Sequence, residues 1–224
     1  MEVSIMFMHV NGIDLFYEVS GSGKPLIMIH GNGEDHTIFK EAVEILNDHF
    51  RVYTLDSRDH GQSSKVSDLH YSDMADDILV FMNDLNLTDV TFYGFSDGGI
   101  LGLLLAQKTD RISRLIVSGA NMTPDGVKGS LKFMIKLLYF FKKDTKLKMM
   151  LKEPNITEDQ LAAIKIPTTV LAGEKDVILK KETEKIAASI PGSKLRILPG
   201  EGHGSYIVHN TRIAEIILEE TSES

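Results

Sequence analysis

Apolar residues fall along this chain in short runs, separated by stretches in which they recur every three or four positions. Val3 to Val10 and Ile13 to Val19 are the first two runs, split by Asn11-Gly12, a pair that favours a tight hairpin turn because both central positions need positive φ. The chain is therefore predicted to open with two antiparallel strands. Further short apolar runs lie at Leu26–Ile29, Val52–Leu55, Val90–Tyr93, Arg114–Val117, Thr168–Leu171 and Leu195–Leu198. Helix-compatible segments stand near Thr37–Asn47, Ser72–Leu85, Gly99–Lys108, Lys180–Ile190 and Tyr206–Glu220. This alternation predicts an α/β fold: a mostly parallel sheet of about eight strands with helices on both faces.

Composition narrows the picture. At 224 residues and 42% hydrophobic, the chain is long enough to bury a substantial core, and one domain over 1–224 is expected. A formal charge of −8 gives no global basic field to attract nucleic acid or an anionic membrane, and nucleic acid is not an expected partner. Without cysteine there are no disulfides, thiolate metal sites or cysteine nucleophiles. The first residues lack a basic leader with a small-residue cleavage site, and no apolar run reaches about 18 residues without charge. A soluble, cytoplasmic protein with no transmembrane segment is the expectation. One interval departs from the acidic background. From about 121 to 167, Lys128, Lys132, Lys136, Lys142, Lys143, Lys146, Lys148 and Lys152 alternate with Phe133, Ile135, Leu137, Phe140, Phe141 and other apolar residues.

The candidate chemistry centres on Gly94-Phe95-Ser96-Asp97-Gly98, which joins an apolar run to a helix-like one. In a sharp strand-turn-helix elbow, side chains two before and two after the central residue collide, so glycines there leave the serine raised above the sheet edge. The helix start behind it offers unpaired N–H groups and a favourable dipole for negative charge. Asp176 follows the seventh run, in Gly173-Glu174-Lys175-Asp176, and His203 follows the eighth, among glycines. All three sit just past strand ends, where the loops of an open parallel sheet gather. A serine hydroxyl needs an imidazole to take its proton and a carboxylate to hold that imidazole. Each residue also has an ordinary reading: Asp176 as a helix cap or turn residue, with Glu174 as its rival, and His203 as a solvated loop histidine. Gly21-Ser-Gly23-Lys24-Pro25 is read as a loop and not a phosphate cradle, because Glu18 and Pro25 occupy positions that a cradle reserves for glycine and for serine or threonine. Asp56, Asp59 and His60 are read as a structural turn and not a metal site, so no metal is expected.

The chain resembles the α/β-hydrolase superfamily from about Val10 to Glu220. His30-Gly31-Asn32-Gly33 stands where that superfamily has its oxyanion loop, and the residues from Asp56 to Ser63 resemble its D-x-R-G-H-G-x-S turn, with Asp59 in place of glycine. The elbow is similar to those of valacyclovir-hydrolase-like and haloperoxidase-like esterases. The resemblance implies a triad of Ser96, Asp176 and His203, an oxyanion hole from the N–H groups of Asn32 and Asp97, and no cofactor. It also implies that 121–167 is a helical cap over the site. Three readings of the cap stand side by side: a helix half packed and half solvated, a basic amphipathic surface for a membrane or partner, and a roof over an acyl pocket, in which Phe133, Leu137 and Phe140 would touch substrate. Asp97 either stabilises its helix or meets a substrate amino group. The implied activity is hydrolysis of small acyl esters. Amide, C–C bond or perhydrolysis chemistry on the same triad, and a non-catalytic ligand receptor, remain alternatives. Oligomeric state is left open.

Overall fold

The computed structural model describes residues 3–222. Its eight strands are β1 Ser4–Val10, β2 Ile13–Gly21, β3 Lys24–Ile29, β4 Phe50–Leu55, β5 Val90–Phe95, β6 Ile112–Ser118, β7 Thr168–Gly173 and β8 Lys194–Leu198. They form one sheet in the order β1-β2-β4-β3-β5-β6-β7-β8. The first two pairings are antiparallel and the remaining five are parallel. Asn11 and Gly12 both take positive φ, 44° and 79°, which is the hairpin geometry their side chains permit.

Helices cover both faces because the central strands are apolar on both. In β3, Leu26 and Met28 pack with α1 (Lys40–Leu46) and α8 (Arg212–Ser222). Ile27 and Ile29 point the other way, towards α2 (Tyr71–Asp84), α3 (Asp97–Leu105) and α7 (Lys180–Ser189). Between β6 and β7 the chain leaves the sheet for a 3₁₀ turn at Pro124–Gly126, then α4 (Gly129–Lys142), α5 (Thr145–Lys152) and α6 (Glu158–Ala162). Leu161, beside Ile156 and Ile164, anchors the return of this interval in the core.

Two predicted helices differ in extent. The segment near Thr37–Asn47 divides into a 3₁₀ turn at His36–Phe39, capped by the Asp35 carboxylate on Thr37 N, and α1. The last helix starts at Arg212 and not at Tyr206. His209 adopts φ 50° and Asn210 Oδ1 accepts from Arg212 N, so the chain turns there and caps a new helix. Tyr206 and Ile207 carry the expected apolar pattern, but they spend it in a buried turn beneath the His203 loop.

Candidate active site

The elbow has the geometry its glycines allow. Ser96 sits at φ 52°, ψ −111° between β5 and α3. A Cβ on Gly94 would stand 2.0 Å from Gly98 O, and one on Gly98 would stand 2.2 Å from Ile29 O. Either contact would force the backbone apart. The Ser96 hydroxyl caps nothing in its own helix. It lies 3.0 Å from His203 Nε2, and His203 Nδ1 lies 2.6 Å from Asp176 Oδ1. An ionised carboxylate only accepts, so Nδ1 carries the proton and Nε2 is free to accept from Ser96. Asp176 also accepts from Ile178 N at 2.9 Å and Gly173 N at 3.3 Å. Burial alone would push its carboxyl up, but the bond and charge of His203 and the two N–H groups outweigh that and hold it below the ordinary range. Glu174 instead turns to Gly200 N, away from His203.

The loop after β3 faces the elbow. His30 donates from Nδ1 to Gly31 O at 2.7 Å and accepts Ser57 N–H on Nε2 at 3.1 Å, bracing the loop against the turn after β4. Burial lowers its basicity, which keeps it neutral in this role. His60 lies against it with the rings tilted by 51° and their centroids 5.1 Å apart, and bonds Arg58 O. The backbone N–H groups of Asn32 and Asp97 meet no acceptor among the described residues, and both residues border the cavity that holds Ser96. The Asp97 carboxylate accepts from Asn32 Nδ2 at 2.9 Å and Tyr71 Oη at 2.7 Å, so it ties the loop to the start of α2. Burial pushes its carboxyl up despite those two bonds.

The alpha/beta hydrolase fold family matches residues 24–144, just over half of the chain. The chain belongs to that family. A putative non-heme chloroperoxidase from Synechocystis sp. is 26% identical to this hydrolase, over 92% of this chain and 94% of its own. Human serine hydrolase BPHL is 26% identical over 88% of this chain and 79% of its own. Among solved structures, a thermophilic esterase from Thermogutta terrifontis superposes with a TM-score of 0.79 at 25% identity, covering 98% of both chains.

The cavity above Ser96 in this hydrolase has a volume of 280 Å³. Its apolar wall comes from Leu131 and Ile135 of α4, Met150 and Leu151 of α5, and Val127 and Ile178. Here the structure corrects an expectation: Phe133, Leu137 and Phe140 do not roof the cavity but face outward, 68%, 48% and 67% exposed. The helical repeat is the reason. Leu131 and Ile135, four apart, share the inward face of α4. Phe133, Leu137 and Phe140, at i, i+4 and i+7, fall on the opposite one. Asp56, Asp59 and His60 also point to different partners: Asp56 to His36 and Gln62 N, Asp59 to Lys146 and Thr145, His60 to Arg58 O.

Three titratable residues of the cavity escaped the sequence reading. Glu34 bonds Gly31 N at 2.9 Å, and burial pushes its carboxyl up. Glu153, at the end of α5, bonds Tyr71 N at 3.1 Å and His70 Nδ1 at 2.5 Å. Tyr71 supplies the hydroxyl on Asp97. None of the three sits in a motif. The one available signal was Glu34, an acid just beyond the glycines of the loop.

Proposed function

We propose that this hydrolase cleaves small carboxylic esters through an acyl-serine intermediate. The observation that carries the reading is the unbroken chain from Asp176 through His203 to the Ser96 hydroxyl, ending at an apolar cavity beside two unengaged N–H groups. Ser96 Oγ attacks the ester carbonyl while His203 Nε2 takes its proton, and Asp176 stabilises the imidazolium that forms. The N–H groups of Asn32 and Asp97 receive the oxyanion; losing one such donor typically costs about 3 kcal/mol in the transition state. The C–O bond to the leaving group breaks as His203 returns its proton to the departing alkoxide. Water then repeats the sequence on the acyl-enzyme. No step in this scheme calls for a metal or organic cofactor. A cavity of 280 Å³ suits a short acyl group.

Incubation with a fluorophosphonate should add the probe's mass to the wild-type chain and leave Ser96→Ala unmodified by intact-mass spectrometry. A wild-type chain that stays at its own mass would remove the reading. Esters whose acyl group bears an ammonium are a second reading, favoured by the three carboxyls of Glu34, Asp97 and Glu153 around the cavity. In the same assay series, the p-nitrophenyl esters of valine and of 3-methylbutanoic acid differ only by the amino group, and their kcat/KM ratio decides between the readings.

A further inference from the structure

Helix α4 is apolar on both sides. Its inward face lines the cavity, yet Ile135 is its only buried residue. Its outward face presents Phe133, Met134, Leu137, Leu138, Phe140 and Phe141, with Phe141 74% exposed. Placed at 100° per residue, these six span roughly 160° of the helix surface. Phe140 and Phe141 stack edge to face at 5.2 Å, so the patch is contiguous at its C-terminal end. A helix hydrophobic all round is ordinarily buried, and an apolar patch rimmed by charge ordinarily marks a contact surface.

Charge identifies the occupant. Residues 128–152 hold eight lysines and one acid, Asp144, a balance of +7. The whole chain is −8, so the rest carries −15. Lys132, Lys146 and Lys148 are paired with Asp125, Asp59 and Asp68. Lys136, Lys142 and Lys143 meet no carboxylate among the described residues, and Lys143 lies over the rings of Tyr139 and Phe140. By helical position Lys136 and Lys143 border the aromatic face on one side. A two-fold contact of α4 with α4 in a second copy would set these lysines against each other, since α4 contains no acid to answer them. A surface of lipid phosphates answers them directly.

We propose that α4 is a docking surface for an anionic phospholipid bilayer. The helix lies in the plane of the interface, its phenylalanines enter the boundary between headgroups and acyl chains, and Lys136 and Lys143 at its border meet phosphates. The acidic remainder is repelled by the same surface, so the molecule binds with α4 first. This orientation puts the cavity wall formed by Leu131 and Ile135 one helix thickness from the lipid. The proposal stands independently of the ester reading.

The chain has no tryptophan, so Phe141→Trp installs a single reporter. Its emission should shift to the blue and strengthen with vesicles of phosphatidylcholine and phosphatidylglycerol, but not with phosphatidylcholine alone. In co-sedimentation, Lys136→Gln/Lys143→Gln should weaken wild-type binding by about tenfold or more, as should a rise in salt. Phe140→Ser/Phe141→Ser should abolish it while leaving the circular dichroism spectrum unchanged. Absence of wild-type binding to the anionic vesicles at low salt would overturn the proposal, as would binding indifferent to phosphatidylglycerol and to the lysines. A dimer that the two serines dissociate, with no vesicle binding, would give the face to a second copy instead.

Discussion

Ser96 occupies a backbone region that costs a non-glycine residue about 1–3 kcal/mol. The strain persists because Gly98 N bonds His30 O and Ser96 N bonds Ser118 O, clamping the turn from both sides. It is the means by which the hydroxyl reaches His203 instead of capping α3. Two substitutions that both delete the hydroxyl should therefore part company in stability. Ser96→Gly relieves the positive φ and is expected to be more stable than Ser96→Ala by about 1 kcal/mol in urea unfolding, while both lose the fluorophosphonate adduct. Equal stability of the two would mean that the turn is not strained.

At the scale of elements, α5 is pinned to the segment between β4 and α2 at three places: Asp59 to Lys146 and Thr145, Asp68 to Lys148, and Glu153 to His70 and Tyr71 N. The first depends on the residue in which this chain departs from the related turn. Asp59 adopts φ 65°, a conformation glycine takes without cost, and its side chain is the tether that glycine lacks. The two effects oppose each other. Asp59→Gly removes about 1 kcal/mol of backbone strain and a partly buried ion pair of similar size. Global stability should then move by less than about 1 kcal/mol, while amide exchange in α5 accelerates selectively. Uniform exchange across the chain would show that Asp59 does not tether α5.

Across the whole molecule, ion pairing sets how stability follows pH. His36 joins three elements: its ring bonds Asp56 at the end of β4 at 2.8 Å and approaches Glu18 of β2 at 3.4 Å, from the 3₁₀ turn. Burial would lower its basicity, but Asp56, Glu18 and Asp35 outweigh it and raise its pKa above 6.5. Burial would likewise raise Asp56, but His36 and the N–H groups of Gln62 and His36 hold it below 3.8. The contribution of His36 is complete below 6.5 and is lost as pH rises through its folded value. That of Asp56 is complete above 3.8 and is lost as pH falls through its folded value. The stability gap between wild type and His36→Gln should be widest between those two pH values and narrow as pH rises through the folded value of His36. Thermal melts across the range test this, and a gap that widens on the alkaline side would contradict it.

Strand runs, their alternation with helices, the hairpin at Asn11-Gly12 and the placing of Ser96, Asp176 and His203 just past strand ends were legible in the sequence, because each rests on a local rule: period, turn chemistry, or glycines flanking a serine. Where the last helix begins was not legible, since Tyr206 and Ile207 satisfy the same apolar pattern inside a buried turn. Nor was the rest of the cavity. Glu34, Tyr71 and Glu153 come from three separate segments whose meeting depends on how α2 and α5 pack. Phe133, Leu137 and Phe140 could be placed on one face of α4 from their spacing alone. Which of its two apolar faces turned inward was decided by docking against α5 and the loops around Ser96, because hydrophobic burial has no direction until a partner surface supplies one.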